Sequence, residues 1–219
     1  MIRFCFFDLD GTLVDSLADI ADAMNRSLAQ LGLPGYSLEE YRQKVGSGMD
    51  HLCRGCLPAD RQGDFARLRE LYSQRYTAFC CEKTALYPGI HQTLEALRQA
   101  GVTLAVLTNK PQSQTDRVAA LLQPYGFARV MGKQPAFPVK PDPTSLHYLM
   151  QELGAAAGES LYIGDSDVDI QLGKNAGLDT VGVTWGFRGS AELAAAGATH
   201  LCTDAAALGA LILRLILSL

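Results

Sequence analysis

The chain has no run of lysine and arginine, although 19 of its 219 residues are basic, and its formal net charge is -4. Affinity for a phosphate backbone depends on clustered cations, so nucleic acid is not expected as a partner. A membrane span is also missing. The very apolar stretch 205–219 contains Arg214 and falls short of the roughly 20 residues a crossing helix needs. It is expected to pack as a terminal helix. Residues 1–7 meet Asp8 too early to form the apolar region of a signal peptide, which predicts a cytoplasmic setting. With no secretion signal, the 6 cysteines are expected to be free thiols in a reducing compartment. Cys53 and Cys56 have metal-ligand spacing, but the adjacent Cys80 and Cys81 make a poor second zinc pair. There is no internal repeat and no low-complexity tract.

What remains is an ordinary globular composition, 48% hydrophobic and 19% charged, at a length suited to one large domain or a core with an insertion. Short apolar runs at 4–7, 102–107, 160–163 and 180–183 look like buried parallel strands. Helical spacing separates them, as in Ile90, Leu94 and Leu97, or Leu146, Leu149, Met150 and Leu153. Alternating strands and helices predict an α/β fold, a doubly wound parallel sheet of Rossmann-like form. Between residues 16 and 84 no strand run occurs. Leu17, Ile20, Met24, Leu28 and Leu31 form one helical face, Phe65, Leu68, Tyr72, Tyr76 and Phe79 another, and Ser37 with Glu40 gives a capping box. The reading is a core of residues 1–15 and 84–219, with residues 16–83 inserted after the first strand as an α-helical cap of about four helices. Asp15 and Thr84 are its expected hinges.

In doubly wound sheets ligands bind beyond the carboxyl ends of the strands, and four polar groupings stand there. Asp8-Leu9-Asp10-Gly11-Thr12 places two carboxylates on one turn, with Gly11 allowing the sharp exit. Thr108 and Asn109, followed by Lys110, can donate hydrogen bonds to a phosphate. Lys140 stands between Val139 and Pro141, ahead of a helix start at Asp142 and Pro143. The fourth, Gly164-Asp165-Ser166-Asp167-Val168-Asp169, is not a calcium loop, because Ile170 and Ala176 stand where Gly and Glu are required. Nor is it a serine-hydrolase elbow, because Val168 replaces the second Gly. Asp167 is assigned to the following helix N-terminus. Asp8, Asp10, Asp165 and Asp169 in one cleft would need a divalent cation and Lys140 to offset their charge. Hard oxygen ligands favour magnesium over zinc.

These four groupings, in this order, resemble the haloacid dehalogenase superfamily of phosphohydrolases over essentially the whole chain. The resemblance implies that Asp8 is a nucleophile forming an aspartyl phosphate and Asp10 the acid/base, with crowding by like charges helping to keep it protonated at the start of the cycle. It further implies that Thr108, Asn109 and Lys140 bind phosphate. Magnesium would be held by Asp8, the Asp10 main chain and Asp165, while Asp169 orients Lys140 or a metal-bound water. Asp10 stands where the dehalogenases themselves carry Tyr, which favours a phosphatase. Val45-Gly46-Ser47-Gly48, Tyr87-Pro88-Gly89, Leu107-Thr108-Asn109-Lys110 and Val183-Thr184-Trp185-Gly186-Phe187-Arg188 are similar to the phosphoglycolate phosphatase group.

That similarity implies magnesium-dependent hydrolysis of a small phosphorylated metabolite, 2-phosphoglycolate or similar, by a monomer or homodimer. The cap loop Gly46, Ser47, Gly48 and His51 would select the substrate, with Ser47 standing where many members have Asn. A phosphosugar mutase or other phosphotransferase, or an idle fold binding a phosphorylated ligand, are the alternatives.

Overall fold

A computed structural model describes residues 1–217 of the chain. Strand β1 (Phe4–Phe7) leads through Asp8 to β2 (Val14–Asp15), and four helices follow: α1 (Leu17–Gln30), α2 (Leu38–Lys44), α3 (Met49–Cys56) and α4 (Phe65–Phe79). The chain then returns through β3 (Ala85–Leu86) to α5 (Ile90–Gln99), β4 (Thr103–Pro111), α6 (Gln112–Val118), β5 (Arg129–Lys133) and α7 (Thr144–Leu153). It ends with β6 (Ser160–Gly164), α8 (Asp167–Asn175), β7 (Asp179–Val183), α9 (Ser190–Ala196), β8 (His200–Cys202) and α10 (Ala205–Leu217).

Among the described residues β5-β4-β1-β6-β7-β8 form one six-stranded sheet, in which every pairing is parallel. Two apolar layers cover it. One contains Phe7, Val106, Ile163 and Leu208, and the other Phe6, Leu107, Leu149 and Tyr162. Burial on both faces explains why the inner strands read as continuous apolar runs. From β1 the chain winds first toward β4 and β5, then back past β1 to β6, β7 and β8. The winding reverses at β1, so the carboxyl ends of β4, β1 and β6 border the crevice where such sheets take ligands.

Besides the short β2 and β3, two strands of the main sheet lie beyond the sequence expectation. β5 and β8 are the sheet edges, with only part of each buried, and so they lack the apolar run of an inner strand. β4 also continues past residue 107 to Pro111, with an irregular register between Leu107 and Pro111. Thr108 and Asn109 therefore sit within the strand rather than after it. Val118, Leu121 and Leu122, spaced as on one helix, are divided between α6 and a 3₁₀ segment that contains Pro124.

The helical segment between β2 and β3 matches the expected four helices, and its Ser37–Glu40 capping box is formed. β2 and β3 pair as a short antiparallel ribbon, Val14 opposite Leu86 and Asp15 opposite Ala85. The buried Asp19 of α1 ties the two ends further, accepting hydrogen bonds from the Lys83 and Thr84 amides and from Thr84 Oγ1.

α10 buries Leu208, Leu211 and Ile212 and packs on α5, where Thr93 Oγ1 donates to the Ala205 carbonyl at 2.6 Å. Residues 218–219 of the apolar terminal stretch lie outside the described residues. Among the described residues no helix is long and apolar enough to cross a membrane. All six cysteines are free. Burial pushes the Cys53 thiol up to about 12 and that of Cys56 to about 11, which keeps both protonated and poor as metal ligands.

Candidate active site

Asp8 follows β1 directly, and its amide donates to the Ile163 carbonyl of β6 at 2.8 Å, which fixes the turn against the neighbouring strand. Asp165 follows β6, and Asp169 lies one turn into α8. One carboxylate oxygen from each of Asp8, Asp165 and Asp169 lies within 4.8 Å of the others, and all three residues are buried. Lys140 is buried among them. Its Nζ is 2.8 Å from Asp8 Oδ1 and 2.7 Å from Asp169 Oδ1, and it donates to Tyr162 OH at 3.2 Å. Tyr162 in turn donates to the Leu107 carbonyl, so the lysine is braced from the sheet floor.

The helix start after Lys140 falls one residue later than expected, at Thr144, whose N–H donates to Asp142 Oδ1 at 2.9 Å. At the start of α8 Asp167 is exposed, and it is Asp169 Oδ2 that accepts from the Ser166 N–H and Oγ. Asp167 thus opens α8 as expected, while Asp169 adds the cap to Ser166 and its second oxygen holds Lys140.

Two glycines permit the close approach of these turns. Gly11 has φ +84, and a Cβ there would lie 2.3 Å from Asp165 Oδ2; one at Gly186 would lie 2.3 Å from the Gly11 carbonyl. The loop carrying Gly186 also supplies the Phe187 N–H, which donates to Asp165 Oδ2 at 2.7 Å. Thr12 Oγ1 donates to Asp165 Oδ1.

Asp10 faces a second lysine. Lys110 Nζ is 2.8 Å from both Asp10 oxygens and donates to Tyr76 OH of α4 at 2.7 Å, while Ser16 Oγ donates to Asp10 Oδ1 at 2.5 Å. Lys110 stood inside the Thr-Asn-Lys motif without an assigned role. Its spacing of two from Thr108 on a strand was the available signal, since alternate residues share a face.

Asn109 departs from the expected free phosphate donor. Its Nδ2 donates to the Gly46 and Lys140 carbonyls, and its Oδ1 accepts from the Lys140 N–H at 2.8 Å. Thr108 Oγ1 accepts only from the Lys110 N–H among the described residues, leaving its proton for a ligand.

The loop before α3 is divided by the structure. Gly46 and Gly48 line an inner cavity of about 50 Å³ together with Asp8, Asp10 and Thr108. Ser47 and the exposed His51 line only an outer groove of about 760 Å³, which shares Gly48, Met49 and Asn109 with the cavity and also includes Arg69 and Lys133. A reciprocal clasp holds this loop to the sheet side. Arg188 donates to the Arg42, Gln43 and Val45 carbonyls at the end of α2, and Arg42 donates to the Gly186 carbonyl. The arginine of the 183–188 segment is thus an anchor between the two halves of the site.

The charge balance favours a cation. Burial pushes the Asp8 carboxyl up to about 6, with Lys140 opposing and Asp169 and Asp10 adding to the rise. Burial likewise raises Asp165 well above the usual carboxylate range, with Asp169 and Asp8 adding to it. Burial alone would push the Lys140 ammonium down, but Asp169 and Asp8 outweigh it and hold the lysine well above its ordinary value. The Lys140 ammonium is the one cation in contact with these carboxylates among the described residues, and it is shared between Asp8 and Asp169. Three clustered buried carboxylates that share one lysine keep an excess of negative charge, and such a set of oxygen donors fits a hard divalent cation.

The folded chain binds the Asp8 proton at about 6 against 3.8 for an ordinary carboxyl, so between those values it holds more protons than the unfolded chain. The stability linked to this group is present below the lower value and lost as pH rises through the upper one. In chelator, Tm is expected to fall between pH 5 and 7.5 more steeply for the wild type than for Asp8→Asn, and magnesium should raise Tm more at pH 7.5. Thermal scans at the two pH values check this, and an equal slope in the two proteins would refute it.

The family model for haloacid dehalogenase-like hydrolases matches residues 5–183. A phosphoglycolate phosphatase of Vibrio parahaemolyticus is 39% identical over 198 residues, 85% of each chain. A solved structure from Lactobacillus delbrueckii subsp. bulgaricus superposes with a TM-score of 0.90 at 30% identity, over 96% of this chain and 98% of that one. CbbY of Rhodobacter sphaeroides, solved in complex with phosphate, gives 0.80 at 25% identity, over 95% and 97% of the chains.

Proposed function

The chain belongs to the haloacid dehalogenase-like hydrolases, and from that premise we propose that it is a magnesium-dependent phosphatase acting on a small phosphomonoester, 2-phosphoglycolate or similar, in the cytoplasm. That it is a phosphoric monoester hydrolase rests on the family and on relatives such as the Vibrio phosphoglycolate phosphatase. The observation carrying the finer reading is the meeting of Asp8, Lys140, Asp165 and Asp169 at the sheet switch point, with Asp10 two residues along the same turn.

An Asp8 oxygen attacks phosphorus as the ester P–O bond breaks, and the leaving oxygen takes a proton from Asp10. In the second half, water attacks the aspartyl phosphate, its proton passes to Asp10, and the Asp8–phosphorus bond breaks. Lys110 and Ser16 hold the Asp10 carboxylate in place for that transfer. Thr108 Oγ1 and Lys140 Nζ hold phosphoryl oxygens, and Asn109 acts by fixing the Lys140 backbone to the Gly46 loop. Asp8, Asp165 and the Asp10 main chain would hold magnesium, which when bound neutralises the carboxylates and polarises the phosphoryl oxygens. Residues 16–83 serve as a cap over the core of 1–15 and 84–219. Its closure keeps bulk water from the intermediate and its opening releases product.

Phosphate release from a panel of small phosphomonoesters, with and without magnesium, tests this. Magnesium-dependent turnover with 2-phosphoglycolate among the best esters is expected. Folded protein with metal that turns over none of them would overturn the reading.

A further inference from the structure

The inner cavity beside Asp8 and Asp10 is small. At about 50 Å³ it suits a phosphoryl group with a short leaving group, and Gly48, Met49 and Asn109 on its rim also line the outer groove. Ile20, Met49, Leu52 and Tyr72 of the helical segment supply an apolar wall. Lys110 and Gln114 also line the cavity, four residues apart across the junction of β4 and α6. Lys110 is committed, because the three acceptors its ammonium meets are the two Asp10 oxygens and Tyr76 OH.

Gln114 is not committed. Its side chain is 1% exposed, and among the described residues its one polar contact is Nε2 to Met49 Sδ at 4.0 Å. A thioether is a weak acceptor, whereas a carboxamide offers two donors and a carbonyl acceptor. Burying such a group without partners is costly, so a polar ligand that reaches it is favoured over one that does not.

We infer that Gln114 is a specificity-determining residue whose carboxamide binds an oxygen on the second carbon of the leaving group. The inference rests on the phosphatase reading above and deepens it. The substrates it selects are short phosphate monoesters bearing a carboxylate or a hydroxyl at that carbon, and simple alkyl phosphates of the same length are disfavoured. The apolar wall cannot make this distinction, since removing an oxygen costs an apolar surface nothing, whereas a site built to hydrogen-bond that oxygen rejects the analogue lacking it.

The test compares kcat/KM of the wild type, Gln114→Met and Gln114→Glu on 2-phosphoglycolate, ethylene glycol monophosphate and ethyl phosphate, with magnesium and with Tm recorded. In the wild type both oxygenated esters should exceed ethyl phosphate. Gln114→Met, of similar length and without the amide, is expected to lower that preference roughly tenfold or more. Gln114→Glu should penalise 2-phosphoglycolate more than ethylene glycol monophosphate, because its carboxylate repels only the former, and this arm separates the two leaving-group chemistries. An active Gln114→Met whose preference ratio equals that of the wild type overturns the inference alone, whether its rates are intact or fall equally on all esters. A wild type inactive on every phosphomonoester overturns the phosphatase reading and the inference with it.

Discussion

Asp8→Asn is expected to reduce phosphate release to background, a loss of roughly 10⁴-fold or more, because the variant has no carboxylate to attack phosphorus. The substitution keeps the shape of the side chain, so it separates chemistry from folding. Lys140 retains Asp169 Oδ1 at 2.7 Å and Tyr162 OH at 3.2 Å when the Asp8 charge is lost. Removing one of three clustered buried carboxylates also relieves repulsion, and Tm in chelator should be equal or higher. Mass spectrometry of acid-quenched enzyme adds an independent readout: the wild type should gain one phosphoryl group during turnover and Asp8→Asn should not. Substantial turnover by a folded Asp8→Asn would remove Asp8 from the role of nucleophile.

Lys140→Met should have the largest effect on stability. The ammonium is buried between Asp8 and Asp169, and deleting it leaves two buried carboxylates without their counter-charge, a change that costs about 3–5 kcal/mol in comparable buried pairs. For a chain of this size that corresponds to a Tm lower by roughly 10 °C. Turnover should fall together with stability, since the phosphoryl oxygens lose their cation. Adding Asp169→Asn should restore part of the lost Tm, because the two side chains share one interaction and their effects do not add. A single variant as stable as the wild type in chelator would show that the ion pairs contribute little.

The carboxylates of the candidate site were legible because each stands directly after, or within one turn of, an apolar strand run, where a doubly wound sheet presents its ligands. Thr108 was legible for the same reason, Lys140 by its proline setting ahead of a helix start, and the helical segment by the absence of any strand run. The partners that hold these groups were not. Lys110 meets Asp10 from 100 residues away and Tyr76 from 34, and Asp19 reaches Thr84 across 65. Such pairs depend on how elements are brought together, which local spacing does not encode. Asp169 was legible as a charge but not as the partner of Ser166, because Asp167 fits a helix N-terminus equally well by position alone. The edge strands β5 and β8 escaped because half-exposed backbone needs no apolar run.

The short ribbon of Val14 with Leu86 and Asp15 with Ala85 makes the helical segment a detachable piece of sequence. Its two ends leave the sheet side by side, so a foreign segment with similarly close ends would enter at the same seam without altering the order of the six strands. Such an exchange leaves Asp8, Asp10, Lys140 and Asp165 in place but must supply equivalents of Ser16 and Tyr76, which reach Asp10 and Lys110 from the helical segment. A chimera that keeps residues 1–15 and 84–219 and takes its helices from a relative is expected to fold and to carry the donor's substrate preference.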